Sequence, residues 1–249
     1  MSKKVRIDQL LVDRKIVSSR SRAQALIMAG KVLADEFRVE KAGQRVPVDA
    51  AIRIKEADHP YVSRGGVKLQ HALRSFDLDP AGLRCLDLGA STGGFTDCLL
   101  SRGAKEVISV DVGYGQLHPR LRSDRRVKVL ERTNARYLTL EDIGGEPVDF
   151  VVVDCSFISI ELLIPAISSC ILPGGRTVAL VKPQFEVGRG EVGKGGVVRD
   201  SKSRRAAVDK VSSAFTRRGF SVLAVVESPI RGPAGNVEYL MHAVRSRLD

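Results

Sequence analysis

The chain has 249 residues, 43% of them hydrophobic, enough for one large or two small domains with packed cores. Forty Lys and Arg against 29 Asp and Glu leave a net charge of +11, which points either to an anionic partner, nucleic acid being the commonest, or to a basic surface without one. The four cysteines (Cys85, Cys98, Cys155, Cys170) form no Cys-x-x-Cys pair and have no histidine at ligand spacing, which argues against a zinc site or a disulfide framework.

The start, Met-Ser-Lys-Lys, has no apolar signal segment behind it, and no run reaches the ~18 apolar residues of a membrane helix. A cytoplasmic protein with no metal and no membrane association is expected.

Residues 1–58 read as a small α+β module. Asp8-Gln9-Leu10-Leu11-Val12 has helical spacing with an acidic start, and the Ser18-Ser19 pair precedes a second helix through Met28. Gly30 is the expected stop. Short β-like runs follow at Lys31–Ala34 and Ala51–Ile54, around a turn from Gly43 to Pro47. Arg6, Arg14, Lys15, Arg20, Arg22 and Lys31 concentrate positive charge here, as an RNA-binding face or as a merely solvated one. No aromatic residue is interleaved with them, which favours phosphate and shape contacts over base stacking.

Residues 59–64, polar and containing Pro60, read as a linker that ends at Arg64, a further candidate RNA contact. Residues 65–249 form the second domain. Gly65 opens a helix with Val67, Leu69, Leu73 and Phe76 on its apolar stripe. Lys68 sits near the start of that helix, where a cation opposes the helix dipole.

From Leu83 onward strands and helices alternate. Strands read at 83–88, 106–112, 127–132, 148–154 and 176–182, helices at 95–102, 160–171 and 201–218. A closing strand pair reads at 222–227 and 237–244. Repeated βα units imply an α/β fold, a mostly parallel sheet with helices on both faces. Ligands in such sheets bind at the carboxyl ends of the strands. Asp87, Asp111, Asp154 and Lys182 all fall there.

The organising stretch is Asp87-Leu-Gly-Ala-Ser-Thr-Gly-Gly-Phe-Thr96. An apolar strand runs into a glycine-rich turn that opens a helix, where backbone N–H groups and the helix dipole favour a polar ligand. Ser91 stands where a dinucleotide fingerprint has its second glycine. Asp87, Gly89, Ser91, Gly93, Gly94 and Phe95 are therefore the first cofactor-site candidates. Asp111 is placed to accept ribose hydroxyls. Asn134, after the third strand, either bonds an adenine edge or only forms a turn. Together they fit an adenosine-type ligand. Lys182 is either a general base or an anchor for an anion.

Gly188 to Gly195 nearly matches a P-loop, but Gly195 replaces the Mg²⁺-binding hydroxyl residue. Arg189 and Lys194 belong either to a mobile loop that touches RNA phosphates or to a plain surface loop. Asp200 or Ser201 is expected to cap the helix that follows.

Two resemblances follow from these motifs. Arg6-x-Asp8 with Leu10 and Leu11, Ser-Arg-x-x-Ala-x-x-x-Ile and Gly30-Lys31-Val32 resemble the S-four-like RNA-binding domain. The glycine turn, Asp154-Cys-Ser-Phe-Ile-Ser, Leu180-Val-Lys182-Pro-Gln-Phe-Glu, Tyr61-Val-Ser-Arg-Gly-Gly-Val-Lys68-Leu and Gly235-Asn-Val-Glu238-Tyr look like the TlyA (hemolysin A) family. That family joins an S-four-like domain to an FtsJ-like methyltransferase, and the resemblance spans the whole chain.

The resemblance implies a Rossmann-like methyltransferase fold with a seven-stranded sheet. It implies S-adenosylmethionine-dependent 2′-O-methylation of cytidine in ribosomal RNA within ribosomal subunits. It also implies a Lys-Asp-Lys-Glu tetrad at Lys68, Asp154, Lys182 and Glu238. The competing expectations are a non-catalytic RNA-binding or ribosome-assembly factor and a membrane-active hemolysin.

Overall fold

A computed structural model describes residues 4–17, 19–28, 30–54 and 59–247. The chain divides into two compact units, Met1–Pro60 and Tyr61–Asp249. Residues 61–64 of the linker expected over 59–64 belong to the second unit. Tyr61 is buried, and the Val62 N–H donates to Asp97 Oδ2 at 2.7 Å, so 61–64 pack as part of the second unit. The expected end of the first module, at residue 58, lies outside the described residues.

In the first unit β1 (Lys4–Arg6) leads directly into α1 (Ile7–Asp13), followed by α2 (Arg20–Met28), β2 (Val32–Ala34), β3 (Phe37–Arg38), β4 (Arg45–Pro47) and β5 (Ile52–Ile54). β1 pairs antiparallel with β4, and β2 is flanked by β3 and β5. Part of the turn expected at 43–47 is thus strand. Ser19 Oγ accepts the Arg22 N–H at 3.2 Å, the expected start of α2. Gly30, at φ +68, ends that helix in the left-handed region, as expected. Ile7, Leu11, Ala23, Ile27, Val32 and Val39 form the core.

In the second unit the elements are α3 (Gly65–Ser75), β6 (Arg84–Leu88), α4 (Gly94–Ser101), β7 (Glu106–Val110), α5 (Pro119–Arg122), β8 (Val127–Leu130), β9 (Val148–Val153), α6 (Ile164–Cys170), β10 (Ile171–Val181), α7 (Pro183–Glu186), α8 (Ser201–Arg217), β11 (Phe220–Glu227) and β12 (Tyr239–Arg245). They build one seven-stranded sheet in the order β11-β12-β10-β9-β6-β7-β8. β12 is antiparallel to both neighbours, and the five strands from β10 to β8 are parallel.

β9, Val-Asp-Phe-Val-Val-Val, is buried on both faces, as a central parallel strand must be. Each such apolar side chain contributes about 1.5–3 kcal/mol of burial free energy. Cores lie on both sides of the sheet: Ile164, Ile167, Val211 and Phe215 on one, Leu69, Leu73, Phe95 and Leu99 on the other. β10 begins five residues before the expected 176, because a register shift between Ile171 and Arg176 lets a glycine pair join the strand. Asp200 caps α8 by accepting the Ser203 N–H at 2.8 Å.

Candidate active site

The strand order sets the site. β12, β10, β9, β6 and β7 are consecutive neighbours. Val181 pairs with Tyr239, so Lys182 and Glu238 both lie one residue beyond the last pair, side by side. Asp154 follows the last residue of β9, Gly89 follows β6 and Asp111 follows β7. Five adjacent strands thus deliver Glu238, Lys182, Asp154, Gly89 and Asp111 in one row along the carboxyl edge. β12 contributes its amino end because it runs the other way.

Within the row, Lys182 Nζ lies 2.7 Å from Asp154 Oδ1 and donates to Ser156 Oγ, also at 2.7 Å. Lys68, on the first turns of α3, meets Glu238 Oε2 at 2.5 Å. The side chains of Lys182, Lys68 and Glu238 are at most 10% exposed and that of Asp154 is 22% exposed. The tetrad is therefore two ion pairs, each partly or wholly out of water, where charges interact more strongly than in bulk solvent. Gly232 packs on the Glu238 carboxylate; a Cβ there would come 2.5 Å from Glu238 Oε1.

The glycine turn is fixed from below. Asp87 is wholly buried. Its Oδ2 accepts the Thr96 N–H at 2.9 Å and the Thr96 hydroxyl at 2.6 Å, which secures the first turn of α4. Its Oδ1 has no hydrogen-bond partner. Burial, reinforced by the charges of Asp154 and Asp111, pushes the Asp87 carboxyl up to about 7 against the lowering effect of Thr96. Gly89 has φ +86, and a Cβ on it would stand 2.8 Å from the Asp154 carbonyl oxygen, so only glycine lets the ends of β6 and β9 approach this closely. Asp111 accepts the Ser91 N–H on Oδ2 at 2.8 Å and the Gly113 N–H on Oδ1 at 2.7 Å. Each carboxylate oxygen retains a lone pair.

These residues fit a ligand that carries a cationic amine and a ribose. Asp87 Oδ1 is an orphaned buried acceptor beneath the turn, and Asp111 is a half-used carboxylate 20 positions beyond Ser91. Among the described residues no group of His, Cys, Asp and Glu could hold a metal ion.

Other expected cofactor residues have different positions. Phe95 is 3% exposed within the core cluster of Leu69 and Leu99, so its ring offers no surface to a ligand. Gly93 and Gly94 are packing glycines. A Cβ would meet Leu121 Cδ1 at 2.3 Å from Gly93 and Ser63 Oγ at 2.2 Å from Gly94. Asn134 Oδ1 accepts the Arg136 N–H at 3.0 Å and caps a 3-10 turn. Burial, with Asp154 nearby, pushes the Cys155 thiol up to about 12, which disfavours its nucleophilic thiolate form.

The basic candidates of the first unit separate by exposure. Arg6 and Arg20 both bond the buried Asp8 and hold its carboxyl well below the usual range, while remaining about half exposed. Arg14 is a structural tie, donating to the Ala50 carbonyl at 2.7 Å and to the Val48 carbonyl. Lys15 and Arg22 are exposed and Lys31 is half-buried. In the second unit Arg64 is exposed and donates to the Arg231 carbonyl at 3.1 Å. Lys194 is exposed on a loop whose far end is pinned by Asn236 to Gly196 and Val198. The Arg189 side chain lies outside what the structure describes.

Three positions beside the tetrad stand in the quoted motifs but receive no role from the sequence alone. Ser156 is the second anchor of Lys182. Glu186 is buried in α7 and accepts from Ser159 Oγ at 2.6 Å and the Ile160 N–H at 2.8 Å, which fixes the segment after Asp154. Phe157 is 90% exposed at φ +66 and leans on Phe185 with ring centroids 5.1 Å apart. A bulky residue in the left-handed region with its ring in solvent is a signal only coordinates can give.

A Rossmann-like sheet with a glycine turn, an acidic residue on the next strand and charged pairs at the carboxyl edge defines a methyltransferase-type enzyme domain joined to a small basic module. The FtsJ-like methyltransferase model matches residues 61–245, and the S4 domain model matches residues 5–52. The chain is 49% identical to the 16S/23S rRNA (cytidine-2′-O)-methyltransferase TlyA of Mycobacterium tuberculosis, over 97% of this chain and 90% of that one. It is 39% identical to Hemolysin A of Brachyspira hyodysenteriae, over 96% and 100%. A solved structure from Streptococcus thermophilus that carries a hemolysin label superposes with a TM-score of 0.78 at 40% identity, covering 99% of this chain and 90% of that one. The chain belongs to the TlyA family of FtsJ-like methyltransferases.

Proposed function

We infer that this protein transfers a methyl group from S-adenosylmethionine to a ribose 2′-hydroxyl of ribosomal RNA, with cytidine as the target nucleoside. The observation that carries this reading is the row of Glu238, Lys182 and Asp154 beside the glycine turn. The family and its TlyA relative support the substrate.

The methyl donor supplies an electrophilic sulfonium methyl. Asp87 Oδ1 would take its ammonium and Asp111 its ribose hydroxyls. Lys182, held by Asp154 and Ser156, presents its remaining donor capacity to the attacking 2′-oxygen and orients a lone pair along the line of attack. Asp154 accepts the hydroxyl proton directly or through Lys182. Lys68 and Glu238 brace the neighbouring strand ends and offset each other's charge. Holding nucleophile and methyl in near-attack geometry can supply ~7–11 kcal/mol of the barrier. Phe157 offers an exposed face on which the target base can stack.

In this reading residues 1–58 act as the RNA-holding module, with Lys15, Arg22 and the half-exposed Arg6 and Arg20 on phosphates, and the protein works on ribosomal subunits in the cytoplasm. Among the described residues no helix is long and apolar enough to cross a membrane, which leaves the hemolysin label without a structural counterpart of that kind.

The test is methyl transfer from labelled S-adenosylmethionine to ribosomal subunits, with the modified positions mapped by mass spectrometry. Ribose-methylated cytidine is expected. Methyl groups on bases, or none with subunits that RNA-binding assays show to be engaged, would reject the reading.

A further inference from the structure

At the opposite edge of the sheet from the candidate active site lies a cavity of about 390 Å³. It sits between the end of α3 and the ends of β10, β11 and β12, wholly within the second unit. From Glu238 to Val244 along β12 is six residues, roughly 20 Å at the rise of an antiparallel strand. The cavity is thus a separate site.

Its lining is chemically one-sided. Arg176, Arg245 and Arg247 line it against the single carboxylate of Asp77, and the Arg245 guanidinium is taken by the Ile171 carbonyl at 2.5 Å. Among the described residues none of the three arginines is in an ion pair. Arg176 pairs across the ladder with Val244, two residues from His242, so the alternation of side chains puts Arg176, His242 and Val244 on one face. Gly174, at φ +81, leaves room for Arg247, whose Nε would stand 3.2 Å from a Cβ there.

His242 lines the same cavity, is 94% buried by its 6% exposure, and stacks on Phe76 with ring centroids 5.5 Å apart. Its Nε2 has no hydrogen-bond partner. An unpaired buried polar atom costs free energy, and a ligand that bonds it recovers that cost. Arg176 and Arg247, neither in an ion pair, beside one orphaned ring nitrogen make a site for an anion with several oxygen acceptors.

We propose that this cavity binds a phosphate-bearing ligand, with Arg176 and Arg247 on the phosphate oxygens and His242 Nε2 as a further hydrogen-bond partner. The phosphate comes either from a small phosphorylated molecule or from the phosphodiester backbone of an RNA segment that reaches the far side of the domain. The site stands independently of the methyl-transfer reading.

The test is titration of the full chain by calorimetry with pyrophosphate and, separately, with a short single-stranded RNA at two salt concentrations. The Arg176→Ala/Arg247→Ala variant is compared with Lys202→Ala/Arg205→Ala, which loses the same charge on α8. Loss of pyrophosphate affinity by tenfold or more in the first variant alone supports a small-molecule site. Weaker RNA binding with a smaller salt slope in the first variant alone, and no pyrophosphate binding, supports the phosphodiester source. Equal behaviour of the two variants with both probes overturns the proposal. His242→Gln is a second probe, expected to weaken the same ligand at least fivefold. Should it fail to fold, the arginine pair still decides.

Discussion

Lys68 Nζ and Glu238 Oε2 lie 2.5 Å apart, both almost out of water, although 170 positions separate them in the chain. Removing one member of such a pair leaves an uncompensated buried charge, which costs about 3–5 kcal/mol. For a domain of this size Glu238→Ala is therefore expected to lower Tm by roughly 10 °C. Glu238→Gln, which keeps a hydrogen-bond acceptor, loses less. Thermal unfolding followed by circular dichroism checks both. An unchanged Tm in Glu238→Ala would mean that the pair is solvated in solution.

Lys182 and Asp154 form the pair nearest the proposed chemistry. Lys182→Ala and Asp154→Asn are each expected to reduce methyl transfer by about 10²–10⁴-fold, the range for a group that takes part in proton movement. Affinity for S-adenosylmethionine should stay within a few-fold of wild type, since neither side chain bonds the glycine turn. Single-turnover methylation beside equilibrium binding of the methyl donor separates the two effects. A Lys182→Ala enzyme with full activity removes Lys182 from the mechanism.

Ser156 touches Lys182 at 2.7 Å and acts through it. Ser156→Ala is expected to lower kcat about tenfold with little change in KM, because Lys182 loses one of its two anchors. Ser156→Thr, which restores the hydroxyl, should recover most of the rate. A loss in KM alone, or no rescue by threonine, would make Ser156 a substrate contact instead.

Asp87 gives the fold a pH signature. Its carboxyl titrates near 7 when folded and near the ordinary carboxylate value when unfolded, so the folded state holds its proton more tightly. Its stabilising contribution is complete below about pH 4 and is lost as pH rises toward 7. Asp87→Asn removes this titration and should flatten the dependence of Tm on pH across that window. Measured Tm between pH 4 and 8 decides it. A parallel displacement of the two curves would mean that Asp87 is ionised throughout.

In the first unit Lys15→Ala and Arg22→Ala are expected to weaken RNA binding and each reduce the salt slope by about 1, with Tm unchanged. Arg14→Ala should instead lower Tm, because its guanidinium ties α1 to the backbone at Val48 and Ala50. Filter binding at several salt concentrations and thermal unfolding distinguish the two kinds of basic residue. An identical profile for all three variants would contradict the division.

The strand ends were legible because a buried parallel strand must be apolar until it leaves the sheet, so an ionisable residue marks the exit. Asp111, Asp154 and Lys182 obey that rule, each one residue past its strand, whereas Asp87 lies inside β6 and is wholly buried. The glycines were legible as a turn but not as to purpose. Gly93 and Gly94 answer to Leu121 and Ser63, contacts set by other elements. Phe95 lies in a polar-looking motif yet packs inward, because the helix it opens is buried on nearly every side. α5 and α7, four residues each, are too short to show a helical period. Ser156 and Glu186 are ordinary polar residues in sequence, and only the return of β10 beside β9 brings each to its partner.

The place of β12 ties completion of the sheet to completion of the tetrad. It is the last strand in chain order, yet it lies between β10 and β11, both made before it, and its amino end carries Glu238. During synthesis β10 and β11 emerge with facing edges unsatisfied, a hazard for pairing with other chains. β12 pairs with both of those edges and holds Glu238 at Lys68. The same strand thus completes both the sheet and the tetrad, and a sheet without β12 in place lacks Glu238 beside Lys68.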